Sequence, residues 1–295
     1  MKRRYRKLMA MFAAAFMLFS FTFASVSASA ATTINYVALG DSVTYGLSAY
    51  NRYGYAAMLR DYIDSTYDVN FLNAGVEGLD TGTLLLQLSS QESKPYINLV
   101  TINIGSNNLL RYVLPAVVDA FGGTYVSDLN TNMSYLYNKI RSMSYEDAMA
   151  TYASMDDPGE DLPAAFKAGI QEFKEKFPLV ISQVKRVAPN ARIIVNNLYN
   201  PIQSGDPLYK FINSSIVKIN DMINRGAASG GYSIANSYLA FKAYETTRLA
   251  VTFSARNAII AAKLGNFNLF VVSLDPHPTT FGHTLIFDRE RNLLK

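Results

Sequence analysis

The feature that most constrains this chain is an alternation. Short apolar runs at Asn35 to Leu39, Val69 to Leu72, Ile97 to Ile104, Arg192 to Leu198 and Ser233 to Ala235 are interleaved with segments of helical period. Those segments run from Tyr55 to Ile63, Thr83 to Leu88, Leu109 to Phe121, Ala164 to Val187 and Leu208 to Ile223. Strands joined by helices can pair in parallel, because the helix returns the chain to the edge where it began, and it then covers one face of the sheet. The expectation is an α/β fold with a mainly parallel, five-stranded sheet covered on both faces. In such sheets ligands collect beyond the carboxyl ends of the strands, so the loops after the strands are where chemistry is to be sought. Two apolar, Tyr-, Met- and Phe-rich stretches, 109–159 and 239–266, do not fit the repeat. They read as extra helices that extend the core, with a cap over an acyl-binding cleft as the alternative.

The first thirty residues differ in kind. Lys2, Arg3, Arg4, Arg6 and Lys7 precede an apolar core from Leu8 to Phe19, and the segment closes on Ala28-Ser29-Ala30. This is the layout of a secretory signal peptide over residues 1–30, with cleavage expected after Ala30, leaving 31–295 as one domain that is secreted or held at the cell envelope. Membrane contact is expected only through the leader before cleavage. The leader's five cations exceed the whole chain's net charge of +4, so residues 31–295 carry −1 and the overall basicity gives no reason to expect nucleic acid. Apolar residues at 49% against 17% charged are enough to build a core. With no cysteine in the sequence, disulfides, thiolate metal sites and a cysteine nucleophile are excluded, and any imidazole chemistry must use His277 or His283.

The loops after the first three strands carry Gly40-Asp41-Ser42, then Asn73-Ala74-Gly75-Val76-Glu77-Gly78, then Gly105-Ser106-Asn107-Asn108; near the C-terminus come Asp275-Pro276-His277 and Gly282-His283. Singly these are turn and cap residues. Together they hold what acyl transfer needs: a nucleophile, a base, a carboxylate to orient the base, and donors for an oxyanion. Ser42 at a helix start exposes its oxygen and aims its own N–H outward, Gly78 presents an N–H without a Cβ in the way, and Asn107 offers an amide.

On these residues the chain resembles the SGNH (GDSL) hydrolase family, whose four blocks are similar to LGDSVTYG, NAGVEGLDTG, INIGSNNLL and DPHPTTFGH, in that order. The resemblance implies a flavodoxin-like three-layer α/β/α sandwich and metal-free, cofactor-free ester hydrolysis. It implies Ser42 as nucleophile, His277 as base, Asp275 as its acid, and Ser42, Gly78 and Asn107 as the oxyanion hole, with Gly75 the alternative to Gly78. Two departures stand out. Asn108 replaces an aspartate, and only Pro276 separates Asp275 from His277 where two residues are usual. Because a residue before proline is pushed toward extended geometry, and residues i and i+2 of an extended chain share a side, the carboxylate is expected to reach the imidazole still. Otherwise Ser42 and His277 would act as a dyad.

His283 opens an apolar run, and a structural place suits it better than catalysis; a metal site from Asp275, His277 and His283 lacks a recognisable ligand spacing. The substrate expected is a small or lipid-like ester, with acetylated polysaccharide as the alternative. A catalytically silent surface binding protein on the same scaffold is the rival from another class. A nucleotide-binding module is excluded by the lack of Gly-x-Gly-x-x-G or a Gly-Lys-Ser/Thr ending.

Overall fold

The computed structural model describes residues 33–157 and 159–295; the leader expected at 1–30 lies outside the described residues. Five strands form one all-parallel sheet: β1 (Ile34–Gly40), β2 (Val69–Gly75), β3 (Leu99–Asn103), β4 (Arg192–Asn196) and β5 (Ser233–Ala235). Their spatial order is β2-β1-β3-β4-β5, so the winding reverses between β1 and β3. That reversal opens a crevice at the strands' carboxyl ends, where Gly40 is in register with Gly75 on one side and Asn103 on the other. β1, β3 and β4 are buried almost throughout, as the central strands of a sheet covered on both faces must be.

Side-chain alternation assigns the two faces. Tyr36, Ala38, Leu99 and Ile194 join a core with α2 (Tyr55–Asp64), α10 (Ser237–Lys242) and α13 (Thr280–Leu294), through Leu59, Ile63, Phe241 and Ile286. Strand residues of the opposite parity, such as Val37, Val100 and Ile193, turn to the other face. That layer is built from α3 (Thr81–Ser89), α8 (Asp161–Val187) and α9 (Tyr209–Gly230), which pack side by side. The result is the three-layer sandwich expected from the alternation.

The two extra stretches are helical, and the detail differs from expectation. The span read as one helix from Leu109 is two, a one-turn α4 (Asn107–Leu110) and α5 (Val113–Ala120), followed by α6 (Leu129–Ser142) and α7 (Tyr145–Ala153). From the second stretch α10 joins the main core, whereas α11 (Ala255–Lys263) and the following α12 (Phe267–Ser273) pack on α6 and α7. Tyr137 meets Phe267 and Phe270 edge to face, over buried Leu136, Ala258, Ile259 and Ala262. Thus part of the inserted apolar sequence packs on itself, because amphipathic helices α6, α7, α11 and α12 cover one another's apolar faces.

Candidate active site

β1 delivers the first component. Gly40 ends the strand at φ +148°, and a Cβ there would lie 2.1 Å from the Asn103 carbonyl oxygen, so only glycine lets β1 run this close to β3 and turn. Asp41 then caps the single-turn helix α1 (Ser42–Tyr45), its Oδ1 accepting from Val43 N–H at 3.0 Å. Ser42 is therefore the first residue of a helix whose N–H has no intrahelical acceptor. Thr44, buried behind it, shares a hydrogen bond with the Tyr55 hydroxyl (2.8 Å) and donates to Leu39 O, which fixes α1 on the sheet. Asp41 is fully buried, and burial pushes its carboxyl up to about 7, with the Val43 N–H and the nearby His277 ring opposing that rise.

The C-terminal segment brings the second component 235 residues away in sequence. His277 Nε2 lies 2.9 Å from Ser42 Oγ, and His277 Nδ1 lies 2.6 Å from Asp275 Oδ1. With the carboxylate facing Nδ1, the tautomer that carries its proton there leaves Nε2 free to accept from the serine. The short Asp-Pro-His spacing works through an Asx-type turn: the same Oδ1 also accepts from the His277 backbone N–H at 3.0 Å. Burial raises the Asp275 carboxyl, but hydrogen bonds from His277 and from Ser48 outweigh it, leaving Asp275 below the usual carboxylate range. Ser48 Oγ reaches Oδ2 at 2.5 Å, and Tyr199 OH holds the Pro276 carbonyl at 3.0 Å.

The oxyanion candidates come from the loops after β2 and β3. Val76 N–H donates to Gly40 O at 3.0 Å, which ties the β2 loop to the end of β1, and Asn107 Nδ2 donates to Leu79 O at 3.0 Å, which ties that loop to α4. Asn107 keeps its second amide hydrogen for a further acceptor. Gly78 has φ +75° and open space where a Cβ would sit, and its N–H meets no acceptor among the described residues. Gly75 is different: it ends β2 pressed on α1, where a Cβ would fall 2.3 Å from Tyr45 N, and its N–H is taken by Asn73 Oδ1. Packing accounts for Gly75, whereas Gly78 keeps an unoccupied N–H and open space on its Cβ side. Asn108 is buried and braces the same loops, bonding Thr81 through both its oxygen and its nitrogen, and reaching Glu172. Arg111 bridges Asp80 and Glu172 beside it.

His283 lies inside the protein with both nitrogens engaged. Its Nδ1 accepts from Tyr55 N–H at 3.3 Å, and its Nε2 donates to Leu47 O at 3.1 Å. Burial depresses its pKa to about 4, so the ring is neutral and locks a backbone loop. Ser48, Tyr199 and the partners of His283 are not marked in the sequence, although a structural place for His283 is expected from it. Each acts through contacts dozens to hundreds of residues apart, and a single sequence marks none of them. A groove of about 520 Å³ between α8 and α9, lined by Phe173, Phe177, Lys185 and Tyr232 among others, contains none of the candidate site residues.

Residues 38–285 match the model of a GDSL-like lipase/acylhydrolase family. No curated protein matches the sequence. Among solved structures the fold is similar to phospholipase A1 from Streptomyces albidoflavus NA297 at 17% identity and TM-score 0.52, over 88% of this chain and 98% of that one. It is likewise similar to an extracellular lipase from Streptomyces rimosus at 20% identity and TM-score 0.52, over 88% and 99%. A lipase from a goat rumen metagenome aligns with TM-score 0.53 at 13% identity, over 88% and 96%.

Proposed function

Because the chain belongs to the GDSL-like lipase/acylhydrolase family and is thereby an ester hydrolase, we propose that it cleaves carboxylic esters through an acyl-enzyme on Ser42. The observation that carries this reading is the continuous line from Ser42 Oγ through His277 to Asp275, with links of 2.9 and 2.6 Å. His277 Nε2 takes the Ser42 proton as Oγ attacks the ester carbonyl. The developing negative charge settles on the oxygen that the N–H groups of Ser42 and Gly78 and the Asn107 amide face. His277 then hands its proton to the departing alkoxide, and water, deprotonated in the same way, releases the acid and regenerates Ser42. Asp275 keeps the ring in the required tautomer and balances the transient imidazolium.

For the substrate, we read an ester with a lipid-like or medium-length acyl chain. Exposed apolar side chains stand on segments bonded to the His277 loop: Leu249, whose carbonyl accepts from Thr279 Oγ1, and Tyr50, whose N–H donates to Thr280 Oγ1. Phe281 and Val272, on the two helices that flank the His277 segment, are exposed as well, and a hydrocarbon chain gains by covering such surface. The leader supports export, which N-terminal sequencing of protein recovered from the medium tests: a start at Ala31 agrees, and an intact leader on cell-bound protein refutes it.

The decisive experiment is hydrolysis of p-nitrophenyl esters of increasing acyl length by residues 31–295, beside Ser42→Ala and His277→Ala. Turnover lost in both variants, with a fluorophosphonate bound covalently to Ser42, is the expected result. A preference for acetyl, and for acetylated sugar, would move the substrate to polysaccharide. Turnover that survives Ser42→Ala would end the mechanism, and a protein that neither turns over nor labels would be a silent scaffold.

A further inference from the structure

Resting on the serine esterase reading, we propose that Ser48 is a positioning residue for Asp275, and that its hydroxyl is what makes the shortened Asp-Pro-His spacing competent. The demand for such a residue is visible in the bonding of Asp275. Its Oδ1 is occupied twice by its own turn, by the His277 N–H and the His277 ring. Its Oδ2 would otherwise face solvent, on a side chain that keeps 30% of its exposure, so the turn holds the carboxylate through one oxygen only. Ser48 Oγ donates to Oδ2 at 2.5 Å and fixes the second oxygen.

Ser48 is held for this task by more than its own bond. It lies at φ +65°, a left-handed conformation that costs an L-residue free energy and persists only where the surroundings fix it. The surroundings do so on both sides. His283 Nε2 holds the carbonyl of Leu47, and Thr280 Oγ1 accepts from Tyr50 N–H at 2.8 Å. Residues 47, 48 and 50 are thus each bonded to the segment 275–283. The loop they form starts at the nucleophile, since Leu47 N–H donates to Ser42 O at 3.0 Å. A closed ring results: Ser42, six residues of chain to Ser48, Asp275, His277, and back to Ser42. The two histidines divide the work, His277 inside the ring and His283 behind it.

Ser48→Gly separates positioning from folding, because glycine accepts the left-handed backbone without strain while the hydroxymethyl group that bonds Asp275 is removed. A hydrogen bond to a charged group justifies expecting about a tenfold fall in kcat, with KM unchanged and the thermal midpoint equal or higher. Ser48→Asn, whose amide donates and whose backbone tolerates the same φ, should recover part of the loss. In an Asp275→Ala background, Ser48→Gly should change kcat less than twofold, since the group it positions is gone. The downfield proton resonance of His277 Nδ1–H should broaden in Ser48→Gly, independently of any substrate. Should Ser48→Gly keep the wild-type kcat and resonance while Ser42→Ala and His277→Ala are dead, the proposal fails and the esterase reading stands. A tenfold loss that persists unchanged in the Asp275→Ala background also overturns it. If Ser42→Ala remains active, the esterase reading falls and takes the proposal with it.

Discussion

Glu290 offers a sharp test of how this core treats charge. It sits in α13 with no exposure; Oε1 accepts from Asn196 Nδ2 at 2.5 Å, and Oε2 meets no partner among the described residues. Burial pushes its carboxyl up to about 8, against about 4.5 for an unburied glutamate. Between those values the unfolded chain releases a proton that the folded protein retains, so the group's contribution to stability falls as pH rises through that window. At about 1.4 kcal/mol per pKa unit, the loss between pH 5 and pH 8 is on the order of 3 kcal/mol. Glu290→Gln removes the titration while keeping a carbonyl for Asn196. Relative to wild type, the variant should gain about 3 kcal/mol on going from pH 5 to pH 8. For a domain of this size that is a relative rise of roughly 6–12 °C in thermal midpoint. The comparison is between two pH values of the same pair, so any fixed cost of the amide cancels. Urea melts of both proteins at pH 5, 6.5 and 8 measure it. A difference that stays constant across the three would show that Glu290 is ionised in the folded state, and the burial argument would be refuted.

Asn107→Ala should lower kcat about 100- to 1,000-fold with KM little changed, as loss of an oxyanion donor does, measured by steady-state ester hydrolysis. Gly75→Ala and Gly78→Ala should fail in opposite ways. The first meets Tyr45 N at 2.3 Å and should cost about 1–3 kcal/mol in a denaturant melt; the second finds open space, so its strain of about 1–2 kcal/mol leaves the protein folded while turnover falls. His283, neutral because its pKa is depressed to about 4, is protonated in the unfolded chain below about 6.5, so stability should drop as pH falls from 6.5 toward 4. His283→Gln should flatten that acid limb in thermal melts; an unchanged limb would place its origin elsewhere.

The alternation of apolar runs with helical periods determined the parallel sheet and its two covering layers, because a buried strand and an amphipathic helix each leave a local signature that needs no knowledge of the rest of the chain. The same reading placed Ser42, Asn107 and Gly78 in loops after strands, since in such a sheet the strand order alone decides where those loops gather. Other decisions belonged to the tertiary structure. That Gly75 is a packing residue and Gly78 an open one depends on where α1 lies against β2. That α6 and α7 of the first extra stretch pack on α11 of the second, with Tyr137 against Phe267 and Phe270 just beyond it, depends on segments more than a hundred residues apart meeting. That Asp275 is pinned by Ser48 depends on a contact spanning 227 residues. Periodicity records how a segment divides itself between core and solvent; it does not record which distant side chain will meet a hydroxyl, and so the acid's second support became visible only once the chain was folded.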